Sequence, residues 1–521
     1  MTARFETWVD LFLSGLEHEP GGVGFGVLRE GAAPEQTGRR ALVDRAQRVS
    51  RGLRDLGVGK GSVVVLQGEP SVAWAATFAA VLLAGGMPTP IGARSTGAEF
   101  ERVMSASGAE FAVVSAANPA IAGYADTSRR IVTFEHSDGA HPSVPEMYEL
   151  EPASPERCEA SDPGVVLQTS GTTGNPKFVV HSHRSHLGLI DRWTELTMTP
   201  DDRVLCFLPL NHQGGLLLGW ISAFSLGVPF YQLTRFSVSA FWDAVRTYGI
   251  TWTGLMDPVP AYLLAAEPSP QDREHSLRFV TGSRKPNEVP ELQKRFGIRQ
   301  MRPYGSTEST IVAMSVDLDR PQVRDLSPDE AAACAGPALT GMGFRITQLD
   351  GSEAPRGVTG SLEVTGTSMF SYYLNNPDAT SRAFTPDGWF RTGDRAYVNE
   401  HNELFFVERA GNSIRRSGEN ISAAEVETIL MEFPGVAAAC VLPVPDDIRG
   451  QEVRACIVRA AGSSVTAQEL FDHCLASLSK FKVPRYIDFW AEFPRTGTFK
   501  ISRGSLDSDP HTWIDRFGTT G

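Results

Sequence analysis

The sequence predicts an α/β protein: a large N-terminal domain of layered α/β subdomains completed by a small β subdomain, then a small, mobile C-terminal α/β domain. Three observations predict it. Segments with helical and with strand periodicity alternate up to about residue 310, the signature of sheets layered with helices. Beyond about residue 340 the texture changes to short, turn-rich strands, and from Gly411 onward one helix and several strands make a compact unit. With 521 residues and 41% hydrophobic content, the chain can bury more than one core, taking roughly 150 residues per domain.

The elements follow in order. ALVDRAQRVSRGLRDLGV places Leu42, Ala46, Val49, Leu53 and Leu56 on one helical face, and GSVVVLQG follows as a buried strand. Residues 71–93, SVAWAATFAAVLLAGGMPTPIGA, carry no charge, but Gly85, Gly86, Pro88 and Pro90 interrupt them. They read as a buried helix and then a strand rather than as a membrane span. FAVVS is the next strand; RVLCFLPL, VPFYQL, GITWTGL, FVTGS and QMRPYG supply further strand ends with helices between them. FRITQLDG, GSLEVTG and ELFFVER make the β subdomain. In the last unit AAEVETILMEF is a helix, and AAACVLPV and EVRACIVRA are strands.

Charge and cysteine usage exclude several classes. A net charge of -13 and a pI near 5.4 argue against nucleic acid or an anionic membrane as partner, since either calls for concentrated Lys and Arg. The six cysteines, Cys158, Cys206, Cys334, Cys440, Cys456 and Cys474, contain no C-x-x-C pair, which fits neither a zinc site nor a disulfide framework. MTARFETWVD has no basic region leading into an apolar core, so no secretory signal is expected and the cytoplasm is the expected compartment. The triad of His181, His183 and His186 has metal-like spacing, but no neighbouring carboxylate or cysteine completes a ligand set.

The most informative stretch is Thr169-Ser-Gly-Thr-Thr-Gly-Asn-Pro-Lys177, set between the strand-like runs DPGVVLQ and FVVHSH. It is therefore expected as a loop between strands. It is no Walker A loop, because Lys177 follows Pro176 and precedes Phe178. Its composition nonetheless suits phosphate: glycines let the backbone approach, hydroxyls and exposed N–H groups donate hydrogen bonds, and the lysine adds charge.

With this string the sequence resembles the adenylate-forming superfamily of acyl-CoA synthetases, luciferases and peptide-synthetase adenylation domains. FLPLNHQGG, YGSTES, GSLEVTGTSMFSYYLNNPDAT, DGWFRTGD, ERAGNSIRRSGENISAAEVE and PRTGTFKISR continue the family pattern in order, over about residues 160 to 505. FSVSAFWDAVRTYGI and RRSGENISAAEVE most resemble the carnitine or crotonobetaine CoA ligase branch. The resemblance implies an adenylating domain over 1–408, a hinge at 409–411 and a lid domain over 412–521. It implies an ATP- and Mg²⁺-dependent ligase that joins a small-molecule acid to AMP with release of pyrophosphate and passes the acyl group to CoA. A monomer or homodimer is expected.

By the same resemblance Thr169, Ser170, Gly171, Thr172, Thr173, Gly174 and Lys177 cradle the β- and γ-phosphates. Glu308 holds Mg²⁺ and Thr307 touches the α-phosphate. Tyr304 stacks on the adenine, Gly305, Gly282 and Ser283 belong to the nucleotide site, and Asp394 and Arg409 hold the ribose. Lys500 bridges carboxylate, α-phosphate and ribose. His212 either walls and gates the acyl pocket or is a packed core histidine.

The departures from the pattern fall on the acid and acceptor side. Gly411 stands at the hinge, where an acidic or lysine residue is usual, and it permits a large backbone rotation. Ser417-Gly418 replaces Gly-Gly in the loop expected near the pantetheine arm. Arg284 and Lys285 in TGSRKPNE replace small residues beside the acyl pocket. Either cation faces an anionic group or both are solvated, and an inward cation disfavours a quaternary ammonium acid. A different acceptor, an amine or a carrier-protein pantetheine, stays open beside CoA, as does activation of a small non-carboxylic acid such as nitrite. The sequence after the lysine segment reads as a short polar tail with no carrier domain.

Overall fold

The computed structural model of the chain describes residues 5–17, 22–116, 129–137, 141–169, 177–196, 198–255, 259–281, 288–315, 326–409, 413–416, 419–446, 449–478, 480–496 and 500–518. Its largest sheet has eight strands, in the spatial order Thr310–Ser315, Arg299–Ser306, Phe279–Thr281, Trp252–Gly254, Val204–Cys206, Phe230–Leu233, Val23–Leu28 and Glu35–Gly38. The inner pairs are parallel and the two outermost pairs antiparallel. A second sheet, of four parallel strands, runs Met87–Pro90, Val63–Gln67, Phe111–Val114, Arg130–Thr133. Helices Arg39–Asp55 and Val72–Leu83 pack on each other beside these sheets. The uncharged run at 71–93 thus becomes a helix, with Ser71 accepting a hydrogen bond from the Trp74 N–H at its start, followed by a strand. That helix is apolar all round because nearly every residue in it is buried. Among the described residues no helix is long and apolar enough to cross a membrane.

Two smaller sheets bring the motifs together. Pro163–Gln168 and Phe178–Ser182 pair antiparallel, and Tyr372–Tyr373 adds a third strand alongside the second. The β subdomain is a five-stranded antiparallel sheet in the order Cys334–Gly336, Leu404–Arg409, Phe390–Val398, Gly360–Gly366, Met342–Thr347. It includes the three strands read from the sequence.

The main hydrophobic core runs to Leu404 and Phe406, and a separate core starts at Ile414. The second core lies between helices Ala423–Met431 and Ala467–Ser477 and a mixed sheet centred on Gly450–Arg459. The C-terminal stretch is more than a polar tail. Ile514–Asp515 pairs antiparallel with Tyr486–Trp490, Leu506 is buried, and the Arg454 guanidinium lies 4.2 Å from the Trp513 ring centroid while donating to the Leu506 carbonyl at 3.0 Å. Isolated apolar residues in a polar stretch are enough to dock it, and they are invisible to a reading based on mean polarity.

Candidate functional site

The mouth of the Thr169–Lys177 loop is closed by two hydrogen bonds across the hairpin. The Thr169 N–H donates to the Lys177 carbonyl at 3.0 Å, and the Lys177 N–H donates to the Thr169 hydroxyl at 3.3 Å. Ser170, Gly171, Thr172, Thr173 and Gly174 lie outside the described residues. The exposed Lys177 ammonium sits 4.5 Å from the centroid of the Tyr373 ring, an attraction of about 1 kcal/mol. Tyr373 reaches that place because its short strand pairs with Phe178–Ser182. Its hydroxyl donates to Glu308 Oε1 at 2.9 Å.

Glu308 and Thr307 occupy the tip of the hairpin between Arg299–Ser306 and Thr310–Ser315. Gly305 lies in that hairpin where a Cβ would run into the Thr310 carbonyl oxygen, so only glycine fits there. Thr310 takes a φ of 56°, a left-handed conformation unusual for a β-branched residue, of the kind that concentrates at functional turns. Hydroxyls stitch the tip together: the Ser306 N–H donates to Ser309 Oγ at 3.2 Å and the Glu308 N–H to Ser306 Oγ at 3.2 Å. Its carbonyls are held as well. The Glu308 carbonyl accepts from the Phe370 N–H at 2.7 Å, and the Thr307 carbonyl accepts from His181 Nε2 at 2.7 Å and Gln213 Nε2 at 2.6 Å.

Asp394 is buried in the strand Phe390–Val398, at an irregularity in its pairing where Gly393 has a φ of 74°. The Tyr304 hydroxyl donates to Asp394 Oδ2 at 2.6 Å, which joins the residue expected at the adenine to the one expected at the ribose. Arg409 lies directly opposite Asp394 in the strand register.

His212 follows the strand Val204–Cys206 and precedes a π-helical turn, Gly214–Ile221. Gly215 permits that wide turn, since a Cβ there would overlap the Pro209 and Leu208 carbonyl oxygens. π-helical turns are rare and gather at functional sites; nothing in the apolar periodicity of GGLLLGWI announces one. The Gly214 N–H donates to His212 Nδ1 at 3.1 Å, so the neutral ring carries its proton on Nε2. Burial pushes this imidazole down to about 4, and the Lys500 ammonium adds to the shift.

The three histidines of the H-x-H-x-x-H cluster each have a structural setting. His181 bonds to the Thr307 carbonyl, His183 Nδ1 accepts from the Trp8 N–H at 3.2 Å, and His186 lies against His181 with ring centroids 4.7 Å apart. Among the described residues there is no group of three or more His, Cys, Asp or Glu placed to hold a metal ion. Glu308 alone suits one kind of ion: a single carboxylate with Oε1 engaged by Tyr373 fits Mg²⁺, which takes one or two carboxylates together with substrate phosphates.

Gly282, Ser283, Arg284, Lys285, Gly411, Ser417 and Gly418 lie outside the described residues, as does the side chain of Arg409. The sequence reading missed Tyr373 and Gln213, and weighed His181 only as a metal ligand. Tyr373 and Gln213 stand inside the quoted segments GSLEVTGTSMFSYYLNNPDAT and FLPLNHQGG, but their partners are distant in sequence.

Residues 33–374 match the AMP-binding enzyme family, and residues 425–500 match the AMP-binding enzyme C-terminal domain. The chain is similar to the crotonobetaine/carnitine–CoA ligase of Proteus mirabilis (strain HI4320), 31% identical over 391 residues covering 73% of this chain and 72% of that protein. It is similar to the sulfoacetate–CoA ligase of Cupriavidus necator, 34% identical over 373 residues covering 70% of each. Among solved structures it resembles ATP-bound MatB from Rhodopseudomonas palustris, with a TM-score of 0.83 and 25% identity over 96% of this chain and 98% of that one.

Proposed function

Because the chain belongs to the AMP-binding enzyme family, we propose that the cleft between the Thr307–Glu308 turn, Asp394, His212 and Lys500 is where a small carboxylic acid meets ATP. The enzyme is an AMP-forming ligase that makes an acyl adenylate and then transfers the acyl group to CoA. A carboxylate oxygen attacks the α-phosphorus, the bond to the bridging oxygen of the β-phosphate breaks, and pyrophosphate leaves. In the second step the CoA sulfur attacks the acyl carbon and AMP departs.

The first step brings two anions together, so its barrier falls where the site neutralises charge and holds the line of attack. Lys177 and the loop behind it take the β- and γ-phosphates. Glu308 would hold Mg²⁺, which supplies positive charge against the triphosphate when bound. Thr307 faces the α-phosphate, Tyr304 and Gly305 the adenine, and Asp394 and Arg409 the ribose. Lys500 spans the attacking carboxylate and the α-phosphate, and His212, neutral with its proton on Nε2, donates to the acid. Gly411 serves as the pivot between the 1–408 and 412–521 units, and Ser417-Gly418 lies along the acceptor's path. We place the enzyme in the cytoplasm, as a monomer or homodimer.

One observation carries this reading. Gln213, the residue after His212, bonds to the Thr307 carbonyl at 2.6 Å, and Glu308 follows Thr307. The residue proposed for the acid and those proposed for the nucleotide thus sit one or two positions from a single hydrogen bond, which supports a common site. The test is pyrophosphate release from ATP across short acids with cationic, anionic and neutral tails, each with CoA, an amine or no acceptor, with mass analysis of products. An acyl-CoA product whose formation depends on CoA is expected. An amide product with indifference to CoA overturns the acceptor, and release independent of any carboxylic acid overturns the reaction. A preference for the anionic tails would assign Arg284 or Lys285 to the pocket.

A further inference from the structure

We propose that His181 and Gln213 form a two-donor clamp on the Thr307 carbonyl and act as positioning residues for adenylation. His181 comes from the strand that leaves the phosphate loop, and Gln213 from the segment that carries His212. Both side chains are buried, and their Nε2 atoms lie 2.7 and 2.6 Å from one oxygen and 3.4 Å from each other.

The protonation of the ring follows from its partners. A carbonyl oxygen only accepts, so His181 Nε2 carries a hydrogen. Burial pushes the imidazole down to about 4, so at neutral pH it holds that one proton and Nδ1 is bare, facing the Ser185 hydroxyl at 3.5 Å. The clamp is therefore uncharged, and it leaves the field at the phosphates to Lys177 and Lys500.

The clamp acts on a peptide plane. The Thr307 carbonyl and the Glu308 N–H belong to the same planar unit. The carbonyl end is held by His181 and Gln213, and the N–H end by Ser306 Oγ at 3.2 Å. With both ends fixed, the plane cannot rotate, and the Thr307 and Glu308 side chains leave it in set directions. Gln213 also ties that plane to the residue after His212, so the acid side and the nucleotide side share one oxygen.

The inference rests on the proposed reaction, and the experiment separates the two. Acid-dependent exchange of pyrophosphate into ATP is measured, with thermal unfolding, for His181→Leu, Gln213→Leu, the double variant, His181→Gln and Lys500→Ala. Each single leucine variant should lower the maximal exchange rate about 3- to 10-fold, the scale of one neutral hydrogen bond, with the KM for the acid little changed. The double variant should lose more than the product of the two, because the second loss leaves the carbonyl without a side-chain donor. His181→Gln returns an N–H near the Nε2 position and should recover to within about 3-fold of the parent. Leucine variants as fast as the parent, or a glutamine variant no better than leucine at equal stability, overturn the clamp, provided Lys500→Ala is slow. If Lys500→Ala is also unimpaired, the proposed reaction falls instead. A readout free of altered folding is the long-range ¹H–¹⁵N spectrum of histidine-labelled parent protein. One ring, identified by its loss in His181→Gln, should stay in the Nε2–H form from about pH 5.5 to 8; a ring that titrates in that range overturns the proposal.

Discussion

Glu308 and Lys500, which our proposal brings to the same reaction, are mounted differently. Glu308 is 8% exposed, at the tip of a hairpin whose N–H and carbonyl groups are bonded to Ser306, Phe370, His181 and Gln213, with its own carboxylate bonded to Tyr373. Lys500 is exposed, and its backbone is held by its own neighbourhood. The Thr496 N–H donates to the Lys500 carbonyl at 2.8 Å, and Arg503 holds Glu427 at 2.6 Å and the Val441 carbonyl at 2.8 Å. The difference teaches a division of labour. On our proposal the carboxylate that would hold Mg²⁺ is fixed by bonds from several segments, whereas the lysine proposed to meet the reacting oxygens is exposed and anchored through its backbone.

The largest expected effect tests the Lys500 side of that contrast. Lys500→Ala should slow initial pyrophosphate release about 10²- to 10³-fold, as loss of one preorganised donor does, while ATP binding measured by calorimetry stays within about 3-fold of the parent. Initial release at the parent's speed would remove Lys500 from the reaction.

A smaller effect tests the fixed side. Tyr373→Phe deletes the hydroxyl on Glu308 and leaves the ring under Lys177. A hydrogen bond to a charged group is worth roughly 1.5 kcal/mol or somewhat more. The Mg²⁺ concentration for half-maximal rate should therefore rise about tenfold, with the rate at saturating Mg²⁺ nearly restored. An unchanged Mg²⁺ titration would show that the tyrosine does not set the carboxylate.

The smallest effect concerns stability. Burial pushes His181 and His183 down to about 4, below the unfolded value of about 6.5. Between those values the unfolded chain binds protons that the folded chain does not, so stability is full above about pH 6.5 and falls as pH drops toward 4. Each ring contributes a slope of at most about 1.4 kcal/mol per pH unit. Thermal melts from pH 7 to 4.5 should show this loss, and His183→Asn, which keeps an acceptor near the Trp8 N–H but takes up no proton, should flatten it. A melting temperature with the same pH dependence in parent and variant would count against a buried neutral His183.

Much of this was legible along the chain. The helix at Val72–Leu83, the strands that alternate with helices, the small β subdomain and the two strands that frame Thr169–Lys177 follow from periodicity and turn residues, which are local. The ordered motifs marked Glu308, Asp394 and Lys500 as candidates. Less legible were features that depend on partners far away in the chain. Tyr373 meets Glu308 across 65 positions and His181 meets Thr307 across 126, and no window of sequence contains both members of either pair. The docked C-terminal stretch and the π-helical turn after Gln213 escaped for the same reason, since both are decided by what packs against them.

The sequence by itself therefore determined the inventory: which elements form, which family the motifs belong to, and which charged groups are present for phosphate and carboxylate. Only the tertiary structure decided how those groups are held. It placed a tyrosine on each of two carboxylates, Tyr373 on Glu308 and Tyr304 on Asp394, and a neutral histidine and a glutamine on one carbonyl. Hydrogen bonds act over about 3 Å and are blind to separation along the chain, so the order of residues can name the participants, while folding alone selects the pairs.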